Sequence, residues 1–591
     1  MKKLITLSVA ALFCVGAAIA EEHNPIKVNQ VGYYPNQEKT ASVEKDAIAK
    51  KYTLTNASGK KVWTGKAVRS AVSPWSKKVR EIVDFSSVTA PGEYTLTAGK
   101  FSQKVIIKPN ALNDVEVAAI KAFYLQRTGE PILEKYAGKY ARPAAHFDTN
   151  VMIHPSAASE GRPAGTIISS PGGWYDAGDF NKYIVNSAYT IGIMLCSYEM
   201  NKEYFDKLDV NIPESGNGMA DLLDEIMFNL KWMQTMQDPV DGGVYHKLTT
   251  PNFEAFIMPA ECKQQRYVVE KTTAAALDFA ATLAKAARIY GKMPQYREWA
   301  KGAIAQAEKA YAWARKNPDI FYRQNEMNKK FDPDVVTGAY DDNNLQDENI
   351  WATIELFLST GDMSYLQGLQ NVNIQDIEFS VPVWGNVLGL AAYSLIAAVD
   401  DGATIIGQYR NEYQVSNIVD MIKQSVKTCV DKSLSTVSTS CYNTPFGNVE
   451  RDFHWGCLAE GCAGRGVAML YAYRATGDKK YLTGAIENMD YILGRNATGY
   501  CYVTGYGQTP TMHPHQRISA ADGIEAPLPG FLAGGPNPGQ QDKNPSLPAY
   551  PSDYPDESYL DHDGSYASNE IAINWNATLV ALAGWIEAEM K

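Results

Sequence analysis

The chain has 591 residues, of which 45% are hydrophobic and 20% are charged. These fractions are ordinary for a folded globular protein and exclude an intrinsically disordered chain. With 55 basic and 66 acidic residues, the net charge is −11. This charge argues against a nucleic-acid-binding protein, which needs a basic face to neutralise phosphates. The length predicts more than one domain, or one large domain with a smaller one.

The first twenty residues have the pattern of a signal peptide. Two lysines precede an apolar run over residues 4–17, and Ala18-Ile19-Ala20 supplies the small residues of a cleavage site. The run is too short to span a bilayer core of roughly 30 Å, although an uncleaved membrane anchor is the alternative. We expect residues 1–20 to be removed, a mature start near Glu21, a secreted or periplasmic protein, and no other membrane segment.

Residues 22–108 predict a small β-sandwich domain. Short β-branched or alternating runs are separated by turn signals such as Asn56-Ala57-Ser58-Gly59 and Pro91-Gly92. Strands of this length at this spacing are typical of two packed antiparallel sheets. The predicted strands are 26–28, 52–55, 81–85, 94–97 and 104–107.

Residues 109–591 predict a mostly helical domain. Apolar residues recur at helical spacing, most clearly along 272–290. Twelve helices with long loops between them suggest helix pairs in a ring, but an open solenoid is compatible with the same pattern. The predicted helices are 111–127, 182–200, 218–236, 271–291, 296–316, 345–360, 362–370, 385–399, 411–430, 456–477, 478–493 and 569–590.

One long segment, residues 499–569, lacks periodicity and is rich in Pro, Gly, Asp, Asn and Tyr. A stretch of this length without secondary structure inside a compact domain indicates a functional loop, with a solvated linker as the alternative.

The cysteines predict limited cross-linking. Seven remain after the predicted signal peptide, so at least one is unpaired within the chain. Cys429, Cys441, Cys457 and Cys462 cluster in sequence, and one or two loop disulfides are expected in an exported protein.

Two aspartates lie in a glycine-rich turn, Gly172-Gly173-Trp174-Tyr175-Asp176-Ala177-Gly178-Asp179. Such a pair can bind calcium, cap the helix predicted near Asn181, or hold a water molecule and take its proton. These three interpretations remain open from this motif alone.

A carboxylate and a basic pair occur near the end of the chain. Glu570 lies at the predicted start of the last helix among apolar and aromatic residues. It is either a first-turn carboxylate favoured by the helix dipole or a carboxylic acid with a raised pKa that can protonate a leaving oxygen. His515 and Arg517 point the same way if their segment is extended, and both can donate to a sugar hydroxyl or hold a carboxylate in place.

Taken together, these motifs resemble family 9 of the glycoside hydrolases, the cellulases built on an (α/α)6 barrel. The resemblance covers nearly the whole mature chain, and residues 28–33 are similar to the start of an immunoglobulin-like domain that precedes the barrel in one branch. The matching segments are Asp176-Ala177-Gly178-Asp179, Thr504 to Arg517, Ser565 to Asn576, Asp241 to Lys247, Trp455-Gly456, Tyr491 to Asn496 and Gly534 to Gly539.

The resemblance implies an inverting hydrolase acting on β-1,4-glucan chains and cello-oligosaccharides, with endoglucanase action expected first. Asp179 would be the general base, Asp176 would orient the water, and Glu570 would be the general acid. Inversion requires carboxyl groups roughly 6.5–9.5 Å apart. Asp179 and Glu570 are 391 residues apart in the chain, so only ring closure can bring them together. The expected cleft-lining residues are His246, His515, Arg517, Trp455 and Tyr566.

Three alternatives share this scaffold. They are an exo-acting cellodextrinase or cellobiohydrolase, a β-glucosaminidase, and a non-catalytic glycan-binding protein. The intact acidic residues argue against the last of these, since binding alone needs no acid and base. We expect a monomer that needs no cofactor for its chemistry.

The resemblance also bears on two metals. Relatives with this domain order often carry zinc on two Cys and two His, but here Thr128 and Ala145 replace the thiolates beside His146 and His154, and two imidazoles cannot complete a tetrahedral site. No zinc is therefore predicted. The acidic run Thr337 to Glu348 resembles the family's calcium loop, with Asp347 and Glu348 as the expected ligands, and a solvated helix-capping run is the alternative.

Overall fold

The computed structural model describes residues 24–367, 378–400 and 415–591. The predicted signal peptide lies outside these residues. The N-terminal domain consists of two four-stranded antiparallel sheets with the strand orders β1-β2-β6-β5 and β4-β3-β7-β8. Its strands are β1 (Ile26–Lys27), β2 (Thr40–Glu44), β3 (Tyr52–Asn56), β4 (Lys61–Gly65), β5 (Ala67–Val72), β6 (Val79–Asp84), β7 (Gly92–Ala98) and β8 (Phe101–Ile107).

The sandwich core forms where alternate residues of the two sheets face each other. Tyr52 and Leu54 on β3 and Leu96 on β7 are fully buried, as the period of two in a strand requires. The sequence patterns missed β2, β4 and β5. Strands β4 and β5 are edge strands with mostly exposed or half-buried residues, so they lack the apolar alternation by which a strand is recognised.

The remaining chain is predominantly helical, as predicted. The helices are α1 (Asn113–Leu125), α2 (Glu134–Ala137), α3 (Ile184–Met200), α4 (Lys202–Phe205), α5 (Asp221–Thr235), α6 (Thr273–Tyr290), α7 (Arg297–Lys316), α8 (Gln324–Asn328), α9 (Gln346–Thr360), α10 (Ser364–Gln367), α11 (Leu388–Asp400), α12 (Val415–Leu434), α13 (Gly464–Thr476), α14 (Lys479–Ile492), α15 (Arg517–Ala521), α16 (Tyr566–Asn569) and α17 (Ile573–Met590). A π-helical turn, Leu458–Ala463, leads into α13. Parts of the predicted helices 362–370 and 411–430 lie outside the described residues.

Among the described residues, the inner ring of the barrel consists of α3, α6, α9, α11, α13 and α17. Helix α17 packs against α3 and α13, and α6 packs against α3 and α9. Between α11 and α13, the rings of Tyr393 and Tyr471 stack with centroids 3.8 Å apart. The last helix therefore meets the first helix of the ring, and the architecture is an (α/α)6 barrel, not an open solenoid. Helices such as α3 and α17 are apolar on almost every side because they are enclosed by neighbours.

A small sheet, absent from the sequence-based prediction, lies beside the start of α3. Its strands are β9 (Val151–Ile153), β10 (Ile167–Ile168), β11 (Lys182–Tyr183), β12 (Lys247–Thr249) and β13 (Tyr267–Val268), in the order β10-β9-β13-β12-β11. Strand β11 leads directly into α3 and joins the aspartate turn to the barrel.

The sandwich is joined to the barrel by buried polar contacts. The Arg495 guanidinium donates to Thr40 Oγ1 at 2.7 Å and pairs with Asp490 at 3.0 Å. The backbone N–H of Gln30 donates to the Leu493 carbonyl at 2.9 Å. These contacts fix the orientation of the small domain on the outside of the ring.

The expectation of loop disulfides is wrong for the described residues, in which all seven cysteines are free. The Cys457 and Cys462 thiols each hydrogen-bond a different backbone carbonyl, those of Pro536 and Asn488. Both thiols are therefore engaged by the surrounding backbone and do not pair with each other. No helix within the described ranges is both long and apolar enough to cross a membrane.

Candidate active site

The aspartate turn presents both carboxylates to a network of buried donors. Asp176 accepts hydrogen bonds from Asn186 Nδ2 and from the Tyr340 hydroxyl, both at 2.7 Å. Asp179 accepts hydrogen bonds from Asn181 Nδ2 and from the Tyr183 hydroxyl. Neither aspartate caps α3, whose N-cap is Tyr183 without a side-chain cap bond. The helix-capping interpretation is therefore wrong.

Gly178 explains how two remote segments come together at this turn. A Cβ atom at this position would lie 2.1 Å from the carbonyl oxygen of His515. Only glycine permits this close approach of the backbones. His515 in turn forms a parallel bridge with Glu570, and the N–H of Ile573 donates to the Asp176 carbonyl at 2.8 Å. The aspartate turn, the long loop and the last helix thus meet at one place.

Glu570 does not lie in the first turn of the last helix. It is an extended residue between α16 and α17, so the helix-dipole interpretation does not apply. Burial, followed by the charges of Asp179 and Asp176, raises the pKa of Glu570 well above its usual range, although Arg517 and a hydrogen bond from the Gly178 backbone oppose this shift. These surroundings favour the protonated carboxyl group, which is the form that a general acid needs.

The two aspartates are electrostatically coupled. Burial and then the charge of Asp179 raise the pKa of Asp176 to about 8, against the opposing effect of the Asn186 and Tyr340 hydrogen bonds. Such a pair can hold a water molecule and accept one of its protons.

His515 contributes an acceptor to the site. Its Nδ1 lies 2.6 Å from the carbonyl oxygen of Asp563, which can only accept, so Nδ1 carries the proton. Burial lowers the pKa of His515 to about 4, and the imidazole is neutral near pH 7. Its Nε2 is then an acceptor for a hydroxyl group, whereas the sequence analysis expected a donor.

Arg517 has a different role from the expected one. Its Nη1 donates to the Gly178 carbonyl at 2.8 Å and its Nε to the Glu254 carbonyl at 2.7 Å. The side chain is 6% exposed. The guanidinium therefore connects residues 251–258 to the aspartate turn through these two hydrogen bonds, and fewer of its donors remain for a sugar.

Two aromatic side chains form an open wall beside His515. The rings of Trp455 and Tyr566 are 5.2 Å apart, and the Tyr566 ring is 6.0 Å from His515. Trp455 is 40% exposed, so its ring face is available for stacking. That both residues line a glycan-binding cleft stays a prediction.

His246 does not line the cleft, and that prediction is wrong. The side chain is fully buried, its Nε2 lies 2.7 Å from the carbonyl of Ala339, and its ring stacks on Tyr322 at 4.2 Å. Ala339 precedes Tyr340, the donor to Asp176. His246 therefore contacts the backbone next to Tyr340 and helps to position that donor.

Sequence reasoning missed four residues around the aspartates. Tyr340, Asn186 and Tyr183 donate to Asp176 or Asp179, and Lys247 Nζ is buried nearby, where its interaction with Asp179 partly offsets a pKa lowered by burial. Lys247 lies inside a motif noted in the sequence, and Tyr340 lies inside the acidic run. No local pattern, however, indicates that either side chain points toward the aspartates.

The acidic run forms a buried cluster with a residue from α6. The carboxylate oxygens of Asp278 and Glu348 have no hydrogen-bond partner, and Asp342 and Asp347 are close enough to perturb both. Burial and these charges raise the pKa of Glu348 to about 12. Hard, unsatisfied oxygens suit calcium. Across the described ranges, however, no three or more His, Cys, Asp or Glu side chains are grouped so as to hold a metal ion by themselves.

The positions compared with a zinc site are occupied by other contacts. Thr128 Oγ1 donates to the Gly172 carbonyl, and His146 Nδ1 lies 2.7 Å from the Tyr175 hydroxyl. Both ring nitrogens of His154 have partners, Ser156 Oγ and the Pro333 carbonyl. The absence of a zinc site stays a prediction.

Comparison with known proteins is consistent with this geometry. The model of glycosyl hydrolase family 9 matches residues 113–583, and the model of the cellulase N-terminal ig-like domain matches residues 21–103. A xyloglucan-specific endo-beta-1,4-glucanase from Bacteroides ovatus is 49% identical over 98% of this chain and 97% of its own length. Endoglucanase D from Acetivibrio thermocellus is 31% identical over 95% of this chain and 83% of its own length. A solved structure of a Bacteroides ovatus GH9 protein, 48% identical, superposes with a TM-score of 0.89 over 96% of this chain and 99% of its own. The chain belongs to glycosyl hydrolase family 9, with an immunoglobulin-like domain preceding the catalytic barrel.

Proposed function

We propose that this protein is an endo-acting β-1,4-glucanase that hydrolyses its substrate with inversion. The observation that carries the proposal is the meeting of Glu570 with the aspartate turn, to which it is joined through His515 and Ile573. An acid and a base held in one cleft are what glycoside hydrolysis needs. A glycan-binding protein has no use for either.

In the proposed mechanism, Glu570 gives its proton to the glycosidic oxygen as the bond from that oxygen to the anomeric carbon breaks. Asp179 takes a proton from a water molecule whose oxygen attacks the same carbon from the opposite face. Asp176, held by Asn186 and Tyr340, orients that water. The neutral His515 accepts a hydrogen bond from a sugar hydroxyl. The products are a hemiacetal of inverted configuration and a free alcohol, and one proton passes from the base to the acid before the next turnover.

Amide substitutions and the product anomer test this mechanism. Asp179→Asn and Glu570→Gln should each reduce kcat by about 10³-fold or more, since each removes a proton transfer and leaves a neutral isostere. Proton NMR during the first minutes should show the α-anomer as the first product. Glu116→Gln is the matched control, because Glu116 is also a buried carboxyl with a raised pKa but hydrogen-bonds Tyr204 of α4 and none of the candidate catalytic residues. A first-formed β-anomer would refute the inverting mechanism.

The substrate is proposed from the relatives together with the open aromatic wall. One relative is named for xyloglucan and another for endoglucanase activity. We therefore propose β-1,4-glucan backbones as the substrate class, with xyloglucan as well as cellulose-type chains as candidates. Viscosity and reducing ends measured together on soluble substrates separate endo from exo action. A rise in reducing ends without a fall in viscosity would favour the exo-acting alternatives.

We also propose a structural calcium ion at the cluster formed by Asp278, Asp342, Asp347 and Glu348. Its donors would be the unpartnered carboxylate oxygens with backbone or water oxygens, and its role would be to neutralise the repulsion within the cluster. Asp342 N–H bonds to the Tyr340 carbonyl, so the cluster is connected to the donor of Asp176. Adding calcium after chelation should raise Tm, and Glu348→Gln should weaken that response. Equal Tm with and without calcium would overturn this assignment.

Export and a monomeric state are further proposals. The sequence of residues 1–20 motivates the first. N-terminal sequencing of protein from the periplasm and the medium should find a start near Glu21. For the monomeric state, light scattering should give the mass of one chain. An intact N-terminus in the membrane fraction would favour the anchor.

A further inference from the structure

Two exposed phenyl rings, Phe253 and Phe256, lie near the candidate active site, with 45% and 39% of their surfaces exposed. The Phe256 ring meets the His515 imidazole edge to face at 5.3 Å. The same imidazole lies 6.0 Å from the Tyr566 ring. His515 therefore contacts one member of each aromatic pair, and only the pair Trp455 and Tyr566 was anticipated from the sequence.

The segment that carries these phenyl rings is fixed to the catalytic turn. The Arg517 guanidinium lies 5.5 Å from the Phe253 centroid and 5.6 Å from that of Phe256, and it donates to the Glu254 carbonyl between them. At the start of the segment, the Thr250 N–H donates to Asn181 Oδ1 at 2.9 Å. The rings are therefore held in place without being covered, and so little ordering entropy is lost when a ligand binds them.

The two phenyl rings share one cation and differ in their other contacts. Phe256 contacts His515, and Phe253 is the more exposed ring. The exposed ring of Trp455, on the other aromatic pair, already offers one stacking face for a chain at this site. A second apolar surface to the side suits a sugar unit that projects from the backbone. Adjacent exposed aromatic rings beside a functional site mark a binding surface.

We propose that Phe253 and Phe256 bind the α-xylosyl substituent on a backbone glucosyl unit of xyloglucan. We call this apolar surface of two rings the branch platform. This inference rests on the proposed β-1,4-glucanase function. The two phenyl faces bind the apolar face of the pyranose ring, and the platform determines specificity without touching the reacting atoms.

The test compares kcat/KM on xyloglucan oligosaccharides and on unbranched cello-oligosaccharides. Phe253→Ala with Phe256→Ala should lower kcat/KM for xyloglucan about tenfold or more, mainly through KM, since a lost apolar contact of this size is worth roughly 10–200-fold in discrimination. The value for the unbranched substrate should stay within about twofold. Phe253→Tyr with Phe256→Tyr keeps both rings and should restore the preference, which separates loss of the platform from loss of folding.

Phe101→Ala is the matched control, because Phe101 also lies beneath a cation, Lys100 Nζ at 5.1 Å, but belongs to β8 in the sandwich. It should leave the ratio of the two kcat/KM values unchanged. Equal losses on both substrates would assign the rings to the backbone and overturn the branch platform, as would no loss on either. If the unmodified enzyme releases no reducing ends from either substrate, the proposed function itself fails.

Discussion

Replacing Tyr340 with phenylalanine isolates one hydrogen bond of the site. The Tyr340 hydroxyl donates to Asp176 at 2.7 Å, and this bond lowers the carboxyl's pKa against the larger raising effect of burial. Removing it makes the ionised form of Asp176 harder to reach. A hydrogen bond to a charged group contributes about 1.5–3 kcal/mol, and one pKa unit corresponds to about 1.4 kcal/mol. The acidic limb of the pH–kcat profile should therefore move upward by about one to two pH units.

The assay is kcat on a soluble glucan from pH 4 to pH 9 for the unmodified protein and the variant. On the acidic limb, the variant should be about 10- to 100-fold slower, with KM little changed. Tyr322→Phe is the control, because the Tyr322 hydroxyl belongs to the same region but donates to Gln324 instead of an aspartate. A Tyr340→Phe profile that superposes on that of the unmodified protein would refute the claim that this donor tunes the aspartate pair.

Three further outcomes are expected. Gly178→Ala should lower kcat and reduce the free energy of unfolding by about 1–3 kcal/mol, because its Cβ would meet the His515 carbonyl. The control Gly302→Ala, in open space on α7, should raise the free energy of unfolding by up to about 1 kcal/mol in chemical denaturation. Equal effects of the two substitutions would contradict the role of the close approach at Gly178. Arg495→Met should lower Tm, because it removes the hydrogen bond and the ion pair that connect the sandwich to the barrel. If neither this substitution nor deletion of the sandwich changed Tm, the small domain would not stabilise the barrel. Burial raises the pKa of Glu116 from 4.5 to about 8, so the folded state holds a proton that the unfolded state releases, and stability should fall by about 1.4 kcal/mol per pH unit within that window. Glu116→Gln should remove this part of the slope in denaturation at several pH values, and an identical slope would contradict the shift.

The site shows where sequence patterns are informative and where they are not. Trp455 and Tyr566, both expected in the cleft, lie together near His515, and their contact with a glycan stays a prediction. His246 was placed wrongly, since a histidine in a motif can position another residue of the site without contacting the ligand. Its stacking on Tyr322 involves a residue 76 positions further along the chain, which no local pattern indicates. The sequence named Asp347 and Glu348, whereas the buried acidic cluster also includes Asp278, which belongs to a different helix, and calcium binding there stays a proposal.

The sequence by itself indicated a β-rich N-terminal part, a mostly helical remainder and the residue types able to supply an acid and a base, because hydrophobic periodicity and local motifs depend on short stretches of chain. It could not determine that Glu570 precedes the last helix or that Tyr340 and Asn186 donate hydrogen bonds to Asp176. Nor could it determine that the Phe256 ring contacts His515. Those facts depend on α17 packing against α3 and on Gly178 admitting the His515 carbonyl. The electrostatic environment of a carboxyl group is set by all the neighbours that a closed ring brings to it, and these neighbours come from segments hundreds of residues apart.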